Sequence, residues 1–204
     1  KTAHKIGIPS TSTIMFGHLE SPEDRAKHMA LIRDIQKETG GFTEFVPLNF
    51  IHSEAPMYKE NLHYGIKNGA DGPDVLLMHA VSRIMFNNYI NNIQTSWVKE
   101  GAGMAQLVLS WGANDFGGTL INESISTAAG AAHGQLLKPK DIRQLIKQAG
   151  RIPAQRTTSY KIIRTFGLED GHDPLDEIQN TSKFGSYHEL IKLDGYRYKN
   201  NRRK

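Results

Sequence analysis

Apolar and polar positions alternate in two rhythms along this chain. A short β-like run, Ser12-Thr13-Ile14-Met15-Phe16, leads into a Gly17-His18-Leu19-Glu20 turn. A helical pattern follows at once. Ser21 suits the N-cap, Pro22 the first helical position, and Glu23 and Asp24 the positive helix start. Apolar residues recur at Ala26, Met29, Ile32 and Ile35, and Gly40-Gly41 stops the helix. The same format then repeats. Phe42-Thr43-Glu44-Phe45-Val46-Pro47-Leu48-Asn49-Phe50 is mostly apolar, as a strand buried on both faces should be. A long polar loop, 51–74, precedes a helix starting at Asp74, with Leu77, Ala80, Val81, Ile84 and Met85 on one face. A third strand is predicted over 92–98, its helix carrying Met104, Leu107, Val108 and Trp111. A fourth follows over 114–120. Another helix opens at Pro139, turns Ile142, Leu145, Ile146 and Ala149 inward, and ends at Gly150. Residues 151–164 read as mixed and extended. From Thr165 the pattern dissolves, so 165–204 reads as a weakly structured basic tail with one short helix near 187–192.

Strand and helix in alternation imply an α/β fold with a parallel sheet and helices outside it. Residues 1–164 hold four such units, half of an eight-fold TIM-type barrel, with strands near 11–17, 43–50, 92–98 and 114–120 adjacent in that order. A doubly wound sheet shares the alternation. No G-x-G-x-x-G follows any strand, however, and there is no G-K-[ST] loop, so nucleotide binding of the Rossmann type is unsupported.

Composition narrows the chemistry. The 204 residues include no cysteine, which removes disulfides, a thiolate nucleophile and cysteine-ligated metal centres built from this chain alone. None of the nine histidines has H-E-x-x-H spacing. The net charge of +4 is mild, and much of the excess lies in Tyr196-Arg197-Tyr198-Lys199-Asn200-Asn201-Arg202-Arg203-Lys204. Such a stretch can grip nucleic acid, but a solvated, frayed terminus is the simpler reading. No apolar run approaches a membrane span and no signal-peptide pattern is present, so the expected location is cytoplasmic. The chain opens at Lys1 in mid-pattern and reads as a fragment lacking an N-terminal part.

In repeated β/α units the chemistry gathers where strands end and loops begin. Polar residues at those ends are His18 and Glu20, Asn49 and His52, Gln94 and Ser96, and Asn114 and Asp115. Taken singly, Asn114-Asp115 also reads as a turn and Glu20 as a helix-start carboxylate. Taken together they describe half of a β/α-barrel enzyme with an amide- and carboxylate-lined mouth.

Thr13-Ile14-Met15-Phe16-Gly17-His18-Leu19-Glu20 resembles the G-x-I-x-G-x-x-E strand motif of radical S-adenosylmethionine enzymes. Thr13 replaces the first glycine and Met15 the isoleucine, while Gly17 and Glu20 match. The order of a V-P-L-N strand at Val46-Pro47-Leu48-Asn49, an A-V-x-R-I-M helix end and Gly112-Ala113-Asn114 resembles the biotin synthase side of that superfamily. More narrowly, five stretches resemble the tyrosine-handling subunits of FO synthases, 4-hydroxyphenyl transferases of deazaflavin cofactor synthesis. They are residues 39–48, 92–99 and 112–126, His133-Gly134, and Gly150-Arg151-Ile152-Pro153-Ala154-Gln155-Arg156.

The resemblance implies S-adenosylmethionine and a 4Fe-4S cluster as cofactors, with the cluster's C-x3-C-x2-C ligands lying in a missing N-terminal half. It implies tyrosine and 5-amino-6-(D-ribitylamino)uracil as substrates, a partner subunit or domain of FO synthase, and no membrane. Met15, Gly17 and Glu20 should border the adenosine. Asn49, Gln94, Ser96, Asn114, Asp115, His133 and Arg156 should converge on one substrate pocket. Of two related menaquinone-pathway enzymes acting on futalosine-type substrates, one shares a similar N-D-F-G-G strand, but the His133-Gly134 loop and the context of Glu44 favour the FO synthase reading. A cofactor-free β/α binding module and a nucleic-acid-binding fragment are the alternatives from other classes. A half barrel leaves open sheet edges, so the chain by itself is expected to be inactive and only marginally stable.

Overall fold

The computed structural model describes residues 1–120, 123–134, 136–167 and 171–177. A short helix α1 (Thr2–Lys5) precedes strand β1 (Ser10–Phe16), helix α2 (Pro22–Thr39) and strand β2 (Phe42–Asn49). Ser21 and Asp24 form a reciprocal capping box at the start of α2. Gly40, at φ 63°, closes it in the left-handed conformation. β1 and β2 pair in parallel, with Ile14 opposite Pro47 and Phe16 opposite Asn49.

Two further segments extend this sheet in the expected order and direction. Phe45 N–H donates to the Asn92 carbonyl at 2.9 Å, and Gln94 N–H returns to Phe45 O at 3.0 Å. Asn114 and Asp115 then both donate to Ile93 O, and Gln94 pairs with Asp115. The predicted strands 92–98 and 114–120 shrink, however, to the residues around these bridges. The third gives way to helix α5 (Trp97–Glu100), because Trp97 turns into the core and donates its indole N–H to Gly118 O at 2.9 Å. The fourth breaks where the Asp115 carboxylate accepts the Gly117 N–H at 2.7 Å and Gly117 takes φ +81°.

Between β2 and α5 lie α3 (Pro56–Lys59) and α4 (Gly72–Met85); α6 (Ala102–Val108), α7 (Ile125–Ala128) and α8 (Pro139–Gln148) follow. α4 begins two residues before the expected Asp74, because Asp71 is the N-cap and accepts the Asp74 N–H at 2.9 Å. Its buried face is also different from the predicted one. Val75, Met78, His79 and Ser82 face inward, whereas Leu77 is 58% exposed and Ile84 76% exposed. Ser82 and His79 each bond a carbonyl one turn back, Met78 O and Val75 O, while His79 Nε2 is buried with no hydrogen-bond partner among the described residues. Of the residues at helical spacing in and after α6, Val108 is buried together with Ala105, whereas Leu107 and Trp111 stay partly exposed.

The core between sheet and helices holds Phe16, Phe45, Phe86, Trp97, Val98 and Val108. Each such side chain contributes about 1.5–3 kcal/mol by leaving water. Strands β3 (Ala154–Arg156) and β4 (Ile162–Thr165) form an antiparallel hairpin after α8. Beyond it Phe166 is buried, with Arg143 and Arg164 over its ring. A 3-10 turn, Pro174–Glu177, places Asp176 on Arg143 Nη2 and Lys140 N, both at 2.7 Å. The short helix expected near 187–192 and the basic end lie outside the described residues.

Gly112 tests this packing. It has φ +119°, and a Cβ there would sit 2.6 Å from the His79 carbonyl of α4. Gly112→Ala should therefore lower stability by at least about 2 kcal/mol in urea unfolding. Gly103→Ala, inside α6 with open space around it, should raise stability by about 0.5–1 kcal/mol.

Candidate functional site

Alternation along the strands defines two faces. Ser12, Ile14, Phe16 and Phe45 turn toward the helices and are buried. Thr11, Thr13 and Met15, with Glu44, Val46 and Leu48, therefore turn to the opposite, inner face. Ile93 pairs with Phe45, so the next residue, Gln94, and its partner Asp115 share that inner face.

The hairpin reaches across to this face. Arg156 Nε donates to Asp115 Oδ2, and Tyr160 donates its hydroxyl to Glu44 Oε2. Arg156 Nη1 donates to Thr157 O at 3.1 Å, and Nη2 lies 4.0 Å from Glu44. The guanidinium stacks 4.1 Å from the centre of the Tyr160 ring. Tyr160 holds φ +64°, an uncommon conformation for an aromatic residue, and its bond to Glu44 helps to retain it. Burial pushes the Glu44 carboxyl above its ordinary value, and the charge of Asp115 adds to this; Tyr160 and Arg156 oppose it. Burial works against the Arg156 charge, but its bond to Asp115 more than compensates and raises its pKa. Gln94, Asp115, Gly117, Arg156 and Tyr160 border a cavity of about 1100 Å³, which also has isoleucine and phenylalanine walls.

At the C-terminal end of β1 the chain engages its own polar groups. Glu20 accepts the N–H groups of Gly17 at 2.6 Å and His18 at 3.0 Å, and Arg25 Nε at 2.8 Å. Burial would raise the Glu20 pKa, but these bonds together hold it below the ordinary value. Arg25, itself buried, also reaches Asp74 at 3.0 Å. Gly17 has φ +88°, and its open side faces the backbone of Gly69 and Ala70 rather than free space. Asn49 clamps that same backbone, accepting Ala70 N–H at 2.8 Å and donating to Ala70 O at 3.3 Å.

The predicted site residues thus divide. Gln94, Asp115 and Arg156 come together, and Met15, 49% exposed, lies on the same inner face. Asn114 borders the cavity, but its carboxamide accepts Arg83 Nη2 and Ile93 N–H and donates to Asn91 O. Gly17, Glu20 and Asn49 build the turn, Ser96 heads α5, and His133 lies exposed against Gly101. Of the seven predicted substrate residues, Gln94, Asn114, Asp115 and Arg156 border one cavity, and Asn49, Ser96 and His133 are not among its lining residues. Sequence reading missed the roles of Glu44 and Tyr160. Glu44 carried a signal, as the one charge in an apolar strand; Tyr160 carried none. Among the described residues no group of three or more His, Asp or Glu is placed to hold a metal ion.

A family model described as the CofH/MqnC C-terminal region matches residues 39–167. The chain belongs to this family. The match begins at the end of α2, so it contains Glu44, Gln94, Asp115, Arg156 and Tyr160 and leaves β1 outside. Three curated relatives share the name 5-amino-6-(D-ribitylamino)uracil--L-tyrosine 4-hydroxyphenyl transferase. The protein of Methanocaldococcus jannaschii is 54% identical over 163 residues, 80% of this chain and 45% of its own length. That of Methanothermobacter thermautotrophicus is 52% identical over 163 residues, 80% of this chain and 44% of its own. That of Methanopyrus kandleri is 49% identical over 166 residues, 81% of this chain and 44% of its own. The chain spans less than half the length of these relatives.

Two pH-dependent outcomes follow from the carboxylates of this CofH/MqnC-family chain. Glu44 has a raised folded pKa, so its ionisation destabilises the fold as pH rises through that value. Tyr160→Phe removes the donor that eases this ionisation. It should cost about 1–3 kcal/mol near neutral pH and less near pH 4, read from denaturation midpoints. Glu20 has a lowered folded pKa, so its contribution is present above the ordinary 4.5 and lost as pH falls through the folded value. Glu20→Gln should flatten that acid limb of the stability profile while lowering stability at neutral pH.

Proposed function

We propose that this chain forms the C-terminal half of a TIM-type β/α barrel in a radical S-adenosylmethionine enzyme. In this reading the whole protein transfers the 4-hydroxybenzyl part of tyrosine to 5-amino-6-(D-ribitylamino)uracil, in FO synthesis. The observation that carries the reading is about half identity, across some four-fifths of the chain, to curated transferases bearing that name. The family description joins two kinds of enzyme, and these names favour the first over a futalosine-type activity. The parallel order of the four sheet segments, with helices on one face and polar groups on the other, supports the barrel placement.

The chain's residues fit the two cofactors unequally. With no cysteine, it offers no thiolate to a 4Fe-4S cluster, so the cluster's ligands belong to another part of the protein. For S-adenosylmethionine, Met15 presents an apolar side chain on the inner face beside Leu48, suited to the flat face of an adenine. Gly17 and Glu20 support that position indirectly, by holding the turn that follows Met15. The cofactor pair supplies the radical that activates tyrosine. This chain's part is to hold substrate on a face where Arg156 and Asp115 are already mutually neutralised. A partner subunit or domain of FO synthase and a cytoplasmic setting belong to the same reading; no helix among the described residues is long and apolar enough to cross a membrane.

Joining this chain to its cysteine-bearing N-terminal half tests the proposal. Anaerobic reconstitution with iron and sulfide should give product only with tyrosine, the aminouracil and S-adenosylmethionine together. The chain alone should release no 5′-deoxyadenosine. Product from the chain alone, or none from the joined protein with a full cluster, would overturn the assignment.

A further inference from the structure

We infer that Gln94 selects the pyrimidine substrate, its carboxamide pairing with the imide edge of the uracil ring. This rests on the functional reading above and specifies which of the two substrates this part of the site takes.

The polar groups around Gln94 on the inner face are matched to one another. Asp115 accepts from Arg156 and from the Gly117 N–H, and Glu44 accepts from Tyr160. Gln94 differs. It is half-buried and borders the cavity, and its carboxamide makes no hydrogen bond to any described residue. A carboxamide offers an N–H donor and a C=O acceptor side by side. The imide edge of a uracil offers the complementary C=O and N–H, so the two close a ring of two hydrogen bonds. Tyrosine has an ammonium and a carboxylate, which favour charged partners. The nearby charges, Arg156 and Asp115, already neutralise each other, which leaves this spot suited to a neutral heterocycle.

Gly117 packs against the Gln94 carboxamide. A Cβ there would lie 3.3 Å from Gln94 Nε2 and 3.4 Å from Cδ, closer than ordinary packing. The Gly117 backbone is held by Asp115, the residue paired with Gln94 across the sheet. Glycine at this position thus lets the backbone lie against one face of the amide without crowding it, and leaves the carboxamide edge for a ligand.

The test uses the protein carrying both halves and needs no turnover. Anaerobic equilibrium dialysis measures the Kd of 5-amino-6-(D-ribitylamino)uracil and, separately, of tyrosine. Gln94→Met, similar in shape but without the paired donor and acceptor, should raise the aminouracil Kd about ten- to a hundredfold. Tyrosine Kd should stay within about twofold. Gln94→Glu keeps an acceptor, loses the donor and should show the same selectivity, which preserves the test if the methionine variant misfolds; thermal melts identify that case. A tyrosine Kd that rises while the aminouracil Kd holds, an equal rise in both, or no change in either would overturn the inference. Wild-type protein binding neither compound would bring down the functional reading, and this inference with it. Wild-type protein binding both, with variants unchanged, would remove this inference alone.

Discussion

The inner face of this chain depends on one pairing: the Arg156 guanidinium against the Asp115 carboxylate. Neither charge would be stable there alone, because a buried ion without a partner carries a desolvation penalty of several kcal/mol. Asp115 belongs to the last sheet segment and Arg156 to the hairpin some forty residues later, so the pair joins distant parts of the chain. Glu44 and Tyr160 repeat the arrangement two strands over, and the stacked Arg156 and Tyr160 link the two pairs into one unit. The hairpin is thereby held on the sheet by polar contacts, and Phe166 beyond it packs under Arg143 of α8. The cavity beside it borders this neutralised pair, and it is also lined by Arg83 and Arg151, whose guanidinium groups donate to carbonyl and carboxamide oxygens.

Matched charges shape what such a surface can recognise. A face with a free arginine would draw carboxylates and phosphates; here the Arg156 guanidinium is already taken by Asp115. What remains open to a ligand is neutral hydrogen-bonding capacity, at Gln94, and apolar surface, at Met15 and the cavity walls. The turn after β1 shows the same economy. Glu20 resembles a cofactor-motif residue, yet its oxygens are taken by the Gly17 and His18 amides and by Arg25. A motif residue can thus serve a ligand by fixing the backbone that meets it.

Local chemistry made much of the secondary structure legible in the sequence. The capping box of α2 is written in four residues, Ser21 to Asp24, and its end in Gly40. The parallel order of the sheet segments followed from the β/α alternation, since helical crossovers leave few other arrangements. The lengths of the third and fourth strands did not follow. They were cut short by Trp97 reaching Gly118 and by Asp115 capping Gly117, contacts between segments some twenty residues apart or local turns that a run of β-formers conceals. The inward face of α4 was misread for a related reason. That helix is apolar nearly all round, and periodicity alone does not choose among its apolar sides.

The sequence by itself determined the alternation of strands and helices, the caps that bound α2, the absence of any thiolate, and the residue types available for a polar mouth. These are properties of single residues and of neighbours a few positions apart, and short-range physics is enough to read them. Only the tertiary structure decided which of those polar residues share a face. Asn49 and Gln94 carry the same carboxamide group and sit at comparable places in their units. Yet Asn49 is consumed by the Ala70 backbone, and Gln94 is left open beside Gly117. The difference lies in how a loop from another part of the chain packs, a long-range outcome of burying apolar side chains that no local pattern encodes. Tyr160 is the extreme case. Its place on Glu44, more than a hundred positions earlier, exists only once the sheet has formed and the hairpin has folded over it.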